Sequence, residues 1–180
     1  REYAVGYVGD KFVTLQTSST GNYDLPDSFR IKCGHDGQLP LDTFGTSDNP
    51  FKIATETDLR MIPQMPSKSY SLIADIKITN NWIPFDFSGT LDGNGHSITY
   101  LKVKQTSATS TINGGLFSRN DGSISNIALD SAIIEIYPNN WGAEITENIG
   151  FIAGINTGSI SNCKIIKSKM SVHSTNIEKT

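Results

Sequence analysis

Residues suited to metal or redox chemistry are scarce in this chain, with two cysteines and three histidines among 180 residues. His35 and His173 have no carboxylate or cysteine at ligand spacing, and no His-Glu-x-x-His occurs, so the common zinc patterns are excluded. Asp92-Gly-Asn94 starts like a calcium loop, but the glycine and the closing acid are misplaced. Neither a Gly-x-Ser-x-Gly elbow nor a phosphate-cradling glycine loop is present. The sequence therefore predicts no metal and no cofactor. Charge is also sparse: 15 basic and 18 acidic residues leave a net charge of −3. No basic field is available to recruit nucleic acid or an anionic membrane. No apolar run approaches the ~20 residues that a bilayer span needs. No signal peptide precedes Arg1, so the chain reads as a processed segment whose export signal lies outside it.

In place of charge the chain carries Ser, Thr, Asn and Gly, a composition suited to a secreted β protein. It also repeats. Gly114-Gly-Leu-Phe-Ser-Arg-Asn-Asp-Gly-Ser-Ile-Ser-Asn-Ile-Ala-Leu129 returns as Gly150-Phe-Ile-Ala-Gly-Ile-Asn-Thr-Gly-Ser-Ile-Ser-Asn-Cys-Lys-Ile165. A weaker echo, Gly95 to Val103, aligns when Ile98 is set against Ile124. Apolar residues two or three apart, as at Ile124, Ile127 and Leu129, mark short strands broken by a corner rather than a helical stripe. Repeats of this period stack, each unit burying its apolar edge only against its neighbours. Short strands, corners and stacked rungs describe a parallel β-helix. Asn126 and Asn162 should lie one rung apart and pair their amides. Tyr100 holds that place in the first rung, so the ladder is expected to start at the second.

The two repeats, with the run from Gly45 to Ile62, Tyr70 to Ile76, Trp82-Ile-Pro84 and Phe87-Ser-Gly-Thr-Leu-Asp-Gly-Asn-Gly-His-Ser-Ile98 before them, resemble the GLUG-type repeat proteins of bacterial surfaces and secretions. The resemblance spans residues 45 to about 170. It implies a right-handed solenoid in a large adhesin or in the non-catalytic part of a surface peptidase, and it implies no chemistry for the repeat itself. The second repeat departs from the pattern at Phe151 and Ala153.

Two parts follow: residues 1–44 as an N-terminal β cap or small β subdomain, and residues 45–180 as the GLUG-like β-helix. In the first, Ala4–Val8 and Lys11–Gln16 read as a hairpin with a Gly-led two-residue turn, and Asp27–Cys33 as a third strand. Thr55-Glu-Thr-Asp58 has the form of a capping box and predicts one short helix ending before Pro63. Trp82 is expected in the core.

Two insertions at the same place in the repeat, 104–113 and 137–148, are expected to leave the solenoid on one side, where repeat scaffolds place recognition. The second carries Tyr137, Asn139, Asn140, Trp141 and Glu144, an aromatic and amide set suited to a sugar ring or a protein interface. The alternative is that Trp141 folds back as a lid. Paired acids for glycosidase chemistry would have to be Asp86 and Asp92, but turn glycines separate them and no basic cluster accompanies them. His96 reads as a turn residue. Cys33 and Cys163 form either one bridge or two separate thiols; Cys163 replaces Ile127 and should face the core. Lys164, Lys167 and Lys169 read as the solvated face of an edge.

The sequence reading is thus an all-β, parallel β-helix of three to four rungs with one short helix. It would serve as a non-enzymatic binding or adhesion module of a secreted or surface-displayed bacterial protein, an adhesin or a toxin's binding domain. Its partner would be a host-surface glycan or protein receptor, or other domains of a longer parent chain. A carbohydrate-active enzyme and an inert spacer are the alternatives.

Overall fold

The computed structural model describes residues 3–8, 11–16, 45–107, 111–138 and 146–173. Over these residues the chain is mostly β, with one short helix and predominantly parallel sheets. β1 (Tyr3–Val8) and β2 (Lys11–Gln16) form the expected antiparallel hairpin. The third strand foreseen at 27–33 lies outside the described residues, as does Cys33.

The helix α1 (Glu56–Met61) starts as its sequence dictates. Thr55 accepts from the Asp58 amide, and the Asp58 carboxylate accepts from the Thr55 amide, so two otherwise orphaned donors are satisfied. A single 3₁₀ turn over Ile62–Gln64 accommodates Pro63 and ends the helical segment.

Most of the remaining chain is short strands in three successive layers. The first layer is β6 (Phe85–Phe87), β7 (Thr90–Asp92), β8 (Ser97–Thr99) and β9 (Lys102–Ser107). These pair in parallel, strand for strand, with β11 (Phe117–Asn120), β12 (Ser123–Ser125), β13 (Ala128–Asp130) and β14 (Ile133–Pro138). The latter pair in turn with β16 (Ala153–Asn156), β17 (Ser159–Ser161), β18 (Lys164–Ile166) and β19 (Lys169–Val172). β10 (Thr111–Gly114) pairs with β15 (Thr146–Ile149) in the same sense. Above the first layer, β5 (Ile76–Lys77) pairs with β8, β4 (Ser69–Leu72) with β7, and β3 (Phe51–Ile53) with β4. The longest stack is therefore five strands deep, in the order β17-β12-β7-β4-β3, one more than the deepest expected.

Register makes like meet like. Phe51, Tyr70, Leu91, Ile124 and Ile160 form one column, and Ile76, Ile98, Leu129 and Ile165 another. The inner members of both columns are fully buried, and each such side chain contributes about 1.5–3 kcal/mol relative to exposure. Phe87 stacks on Phe117 at 4.8 Å between centroids, and Tyr70 lies 6.2 Å from Phe87. Trp82 is buried, as expected, and its indole N–H donates to the Leu116 carbonyl of the next layer at 2.7 Å.

The corners follow from single residues. Asn94, Asn126 and Asn162 take left-handed φ of 49°, 57° and 49°, where Asn is the side chain that pays least strain after glycine. Gly122 answers a different need: a Cβ there would sit 2.0 Å from the Gly89 carbonyl oxygen, and one at Gly158 2.0 Å from that of Gly122. Only a hydrogen fits where one layer's turn lies on the backbone of the last.

Three sequence expectations change. The repeat between the last two layers keeps its spacing of 36 residues. The weaker echo was set in the wrong register, because Ile98 pairs with Leu129 and it is Leu91 that meets Ile124. The slip is one whole strand: Gly89-Thr90-Leu91 is the counterpart of Gly122-Ser123-Ile124, and Gly95 at the next corner offers a second glycine before an apolar strand. The expected amide pair forms, Asn162 donating to Asn126 Oδ1 at 2.6 Å, but the row reaches back one layer further, to a carboxylate, because Asn126 donates to Asp92 Oδ1 at 2.9 Å. Finally, the described parts of the two expected insertions are strand. β9 continues to Ser107 and β14 to Pro138, because the apolar alternation through Ile134, Ile136 and Pro138 keeps an inward face to bury. Residues 108–110 and 139–145 lie outside the described residues.

Candidate functional site

Of the five residues expected to bind a ligand, Tyr137 stands on β14, whereas Asn139, Asn140, Trp141 and Glu144 lie outside the described residues. Tyr137 occupies the outward row of the sheet β9–β14–β19, whose inward row is the buried Val103, Ile134 and Ile136. Alternation puts Lys104 and Thr106 on the same outward side of β9, Glu135 on β14 and Ser171 on β19. In register, Glu135 stands between Lys104 and Ser171.

The Tyr137 ring is held from both neighbouring strands. The His173 imidazole lies parallel to it, 4° off coplanar with centroids 4.4 Å apart, and Lys104 Nζ sits 5.1 Å from the ring centroid. His173 is fixed in turn by its amide, which donates to the Ile136 carbonyl at 2.8 Å, and by Ser171 Oγ, 3.2 Å from Nε2. A cation over an exposed aromatic is worth about 0.5–1 kcal/mol. With His173 and Lys104 packed on the ring, Tyr137 offers a ligand chiefly its edge and hydroxyl. An open stacking face for a sugar must then come from elsewhere.

Lys104 and His173 were not singled out as site residues in the sequence. The signal existed in the strand register, because β14 pairs with β9 on one side and β19 on the other.

The links 108–110 and 139–145 leave from paired strands, β9 and β14, and return to paired strands, β10 and β15. Their ends are thus brought side by side at the edge of the Tyr137 face.

Elsewhere the acids act as framework. Asp86 accepts from the Ser118 hydroxyl of the next layer, and Asp92 from the Asn94 amide and Asn126 Nδ2. Asp121 is held below the usual carboxylate range by the Thr157 hydroxyl and the Arg119 guanidinium. Asp75 is lowered by the backbone amide and side chain of Ser97, and His96 Nδ1 lies 3.3 Å from it, so His96 is the turn residue expected. Glu56 balances desolvation, which raises it, against donors from Thr79 and Arg60, and ends near 2. Arg60 in turn stands over the Trp82 ring at 5.0 Å and donates to the carbonyls of Asn80 and Asn81, so this cluster pins α1 to the first layers. Burial pushes the Tyr70 hydroxyl up, and it donates to the Met65 carbonyl at 2.6 Å. Cys163 is a free, half-buried thiol packed against the core, as a replacement for Ile127 should be. Among the described residues no three His, Cys, Asp or Glu side chains gather as a metal set, and no helix is long and apolar enough to cross a membrane.

No family model matches the chain, and no solved structure matches it. The chain is similar to halomucin of Haloquadratum walsbyi, with 25% identity over 173 residues, covering 83% of this chain and 2% of halomucin. It therefore spans about 2% of the length of the curated relative it matches.

Proposed function

We propose that this chain is a non-enzymatic binding module of a secreted or surface-displayed protein, built as a right-handed parallel β-helix of the GLUG-repeat type. The observation that carries the reading is the outward face of Lys104, Glu135, Tyr137 and His173, gathered where the paired strands β9 and β14 end before residues 108–110 and 139–145. The stacked layers beneath are held by side-chain ladders, so the face is a rigid platform and the links its variable part. The framework roles of Asp86, Asp92 and Asp121 favour binding over glycoside hydrolysis, which needs two carboxylates free to face a substrate. The partner is a glycan or a protein receptor on a host surface, as for an adhesin or a toxin's binding domain. Within the site Tyr137 supplies an edge and a hydroxyl, and the residue types of Asn139, Asn140, Trp141 and Glu144 supply amides, an aromatic ring and an acceptor.

A second reading, an inert spacer, is favoured by the halomucin match, in which a chain of this size accounts for 2% of a far longer protein. A glycan-array and cell-binding screen of the native chain beside Trp141→Ala and Tyr137→Ala variants separates the two, with circular dichroism to confirm folding. Specific binding that falls at least tenfold in Trp141→Ala is expected. Absence of binding by the folded native chain would leave the spacer.

A further inference from the structure

The two ends of the stack differ. At the β3 end Phe51, Ile53, Leu59 and Ile62 are at most 1% exposed, and β2 packs against both β3 and α1. At the other end, in the layer β16–β19, the same inward columns reach water. Ile160 is 36% exposed, whereas Ile124 and Leu91 before it in the column are 0%. Ile165 is 42% exposed against 0% for Leu129, and Val172 44% against 0% for Ile136. A stack that ends in water needs a polar outer layer, and this one presents Ile160, Cys163, Ile165, Met170 and Val172.

The polar rows stop at the same level. Asn120 donates to Asn156 Oδ1 at 2.7 Å and Ser159 Oγ meets Ser123 Oγ at 2.9 Å. Asn162 donates back to Asn126, which leaves its Oδ1 as the terminal acceptor of a row that began at Asp92. That row states the chemistry of the next member: an amide donor one strand spacing further on, over an aliphatic that continues the columns of Ile160 and Ile165.

From this we infer that the β16–β19 layer is a stacking surface for one further strand layer of the same repeat, parallel and in register. Such a layer carries Asn at the places of Asn156 and Asn162 and aliphatic residues at those of Ile160 and Ile165. The surface is directional, since the inward residues of the opposite end are buried, with β2 packed against β3 and α1. It is separate from the Tyr137 face, and its test does not depend on any ligand.

The experiment compares three chains: the native one, residues 1–173, and residues 1–173 followed by a second copy of 138–173. Each is followed by thermal unfolding, sedimentation and hydrogen exchange. The extended chain is expected to melt several degrees higher than residues 1–173 and to slow amide exchange in 159–172 at least tenfold. Ile160→Ser with Ile165→Ser should remove that gain while changing the melting temperature of the native chain far less. Unchanged exchange across 159–172 in the extended chain would overturn the inference. So would a native chain that loses the same protection when 174–180 are deleted, since those residues would then be the cover. A native chain that dimerises through this face, with the dimer abolished by the double substitution, would assign the surface to a second copy instead.

Discussion

At the residue scale, the corners and the acids decide most. Asn126 joins two roles, a left-handed φ of 57° and an amide that bridges Asp92 and Asn162. Asn126→Gly should lose the bridge alone, at about 1–2 kcal/mol. Asn126→Ala should lose the bridge and add backbone strain, at roughly 1 kcal/mol more. Urea unfolding of the two variants measures the gap, and equal values would show that the strain is absorbed. Glu56 governs the acid limb. Its folded pKa near 2 lies below the ordinary 4.5, so its contribution is fully present above about 4.5 and disappears as pH falls through 2. With 16% of its side chain exposed, solvent screening reduces that contribution to about 1–2 kcal/mol. Glu56→Gln is expected to flatten the stability profile between pH 4.5 and pH 2 in denaturant titrations, and a profile as steep as the native one would rule out this cluster as the cause.

At the element scale, three-residue strands hold because each has a partner above and below, and the turns between them lie directly on one another. Gly122 shares the tightest such contact with Gly89 and Gly158. Gly122→Ala should cost about 3 kcal/mol or more, since the atom in the way is the backbone oxygen of Gly89 and cannot rotate aside. Gly95 supplies the comparison: at φ 81° with nothing within 4 Å of a Cβ, Gly95→Ala should cost only the strain of the left-handed backbone, about 1–2 kcal/mol. Thermal melts of the pair test whether space or conformation dominates. The capping box of α1 and the hairpin β1–β2 were legible in the sequence because their signals are local, a Thr-x-x-Asp spacing and two alternating runs. The reach of β9 and β14 was not. Strand ends are set by whether a partner strand continues, and Tyr137 and Pro138 gain Thr106 and Ser107 as partners only once the layers stack.

At the scale of the whole molecule, layers that contact only their neighbours should have stability graded along the stack. Amides of β12–β14, covered on both sides, are expected to exchange at least tenfold more slowly than those of β17–β19, whose outer side is open. Uniform protection across both layers would indicate a single cooperative unit rather than a graded one.

The sequence by itself determined the unit: its 36-residue spacing, its β period, and the paired asparagines Asn126 and Asn162. These depend on side-chain volume and on φ, which are properties of single residues and their near neighbours. Only the tertiary structure decided which first-layer residue meets which. The two alignments of Gly95–Val103 differ by one whole strand, and their energies separate only when Leu91 and Ile98 are both buried beneath Ile124 and Leu129. It also decided that Tyr137, Lys104 and His173 share one surface, since residues so far apart in the chain become neighbours through strand register alone.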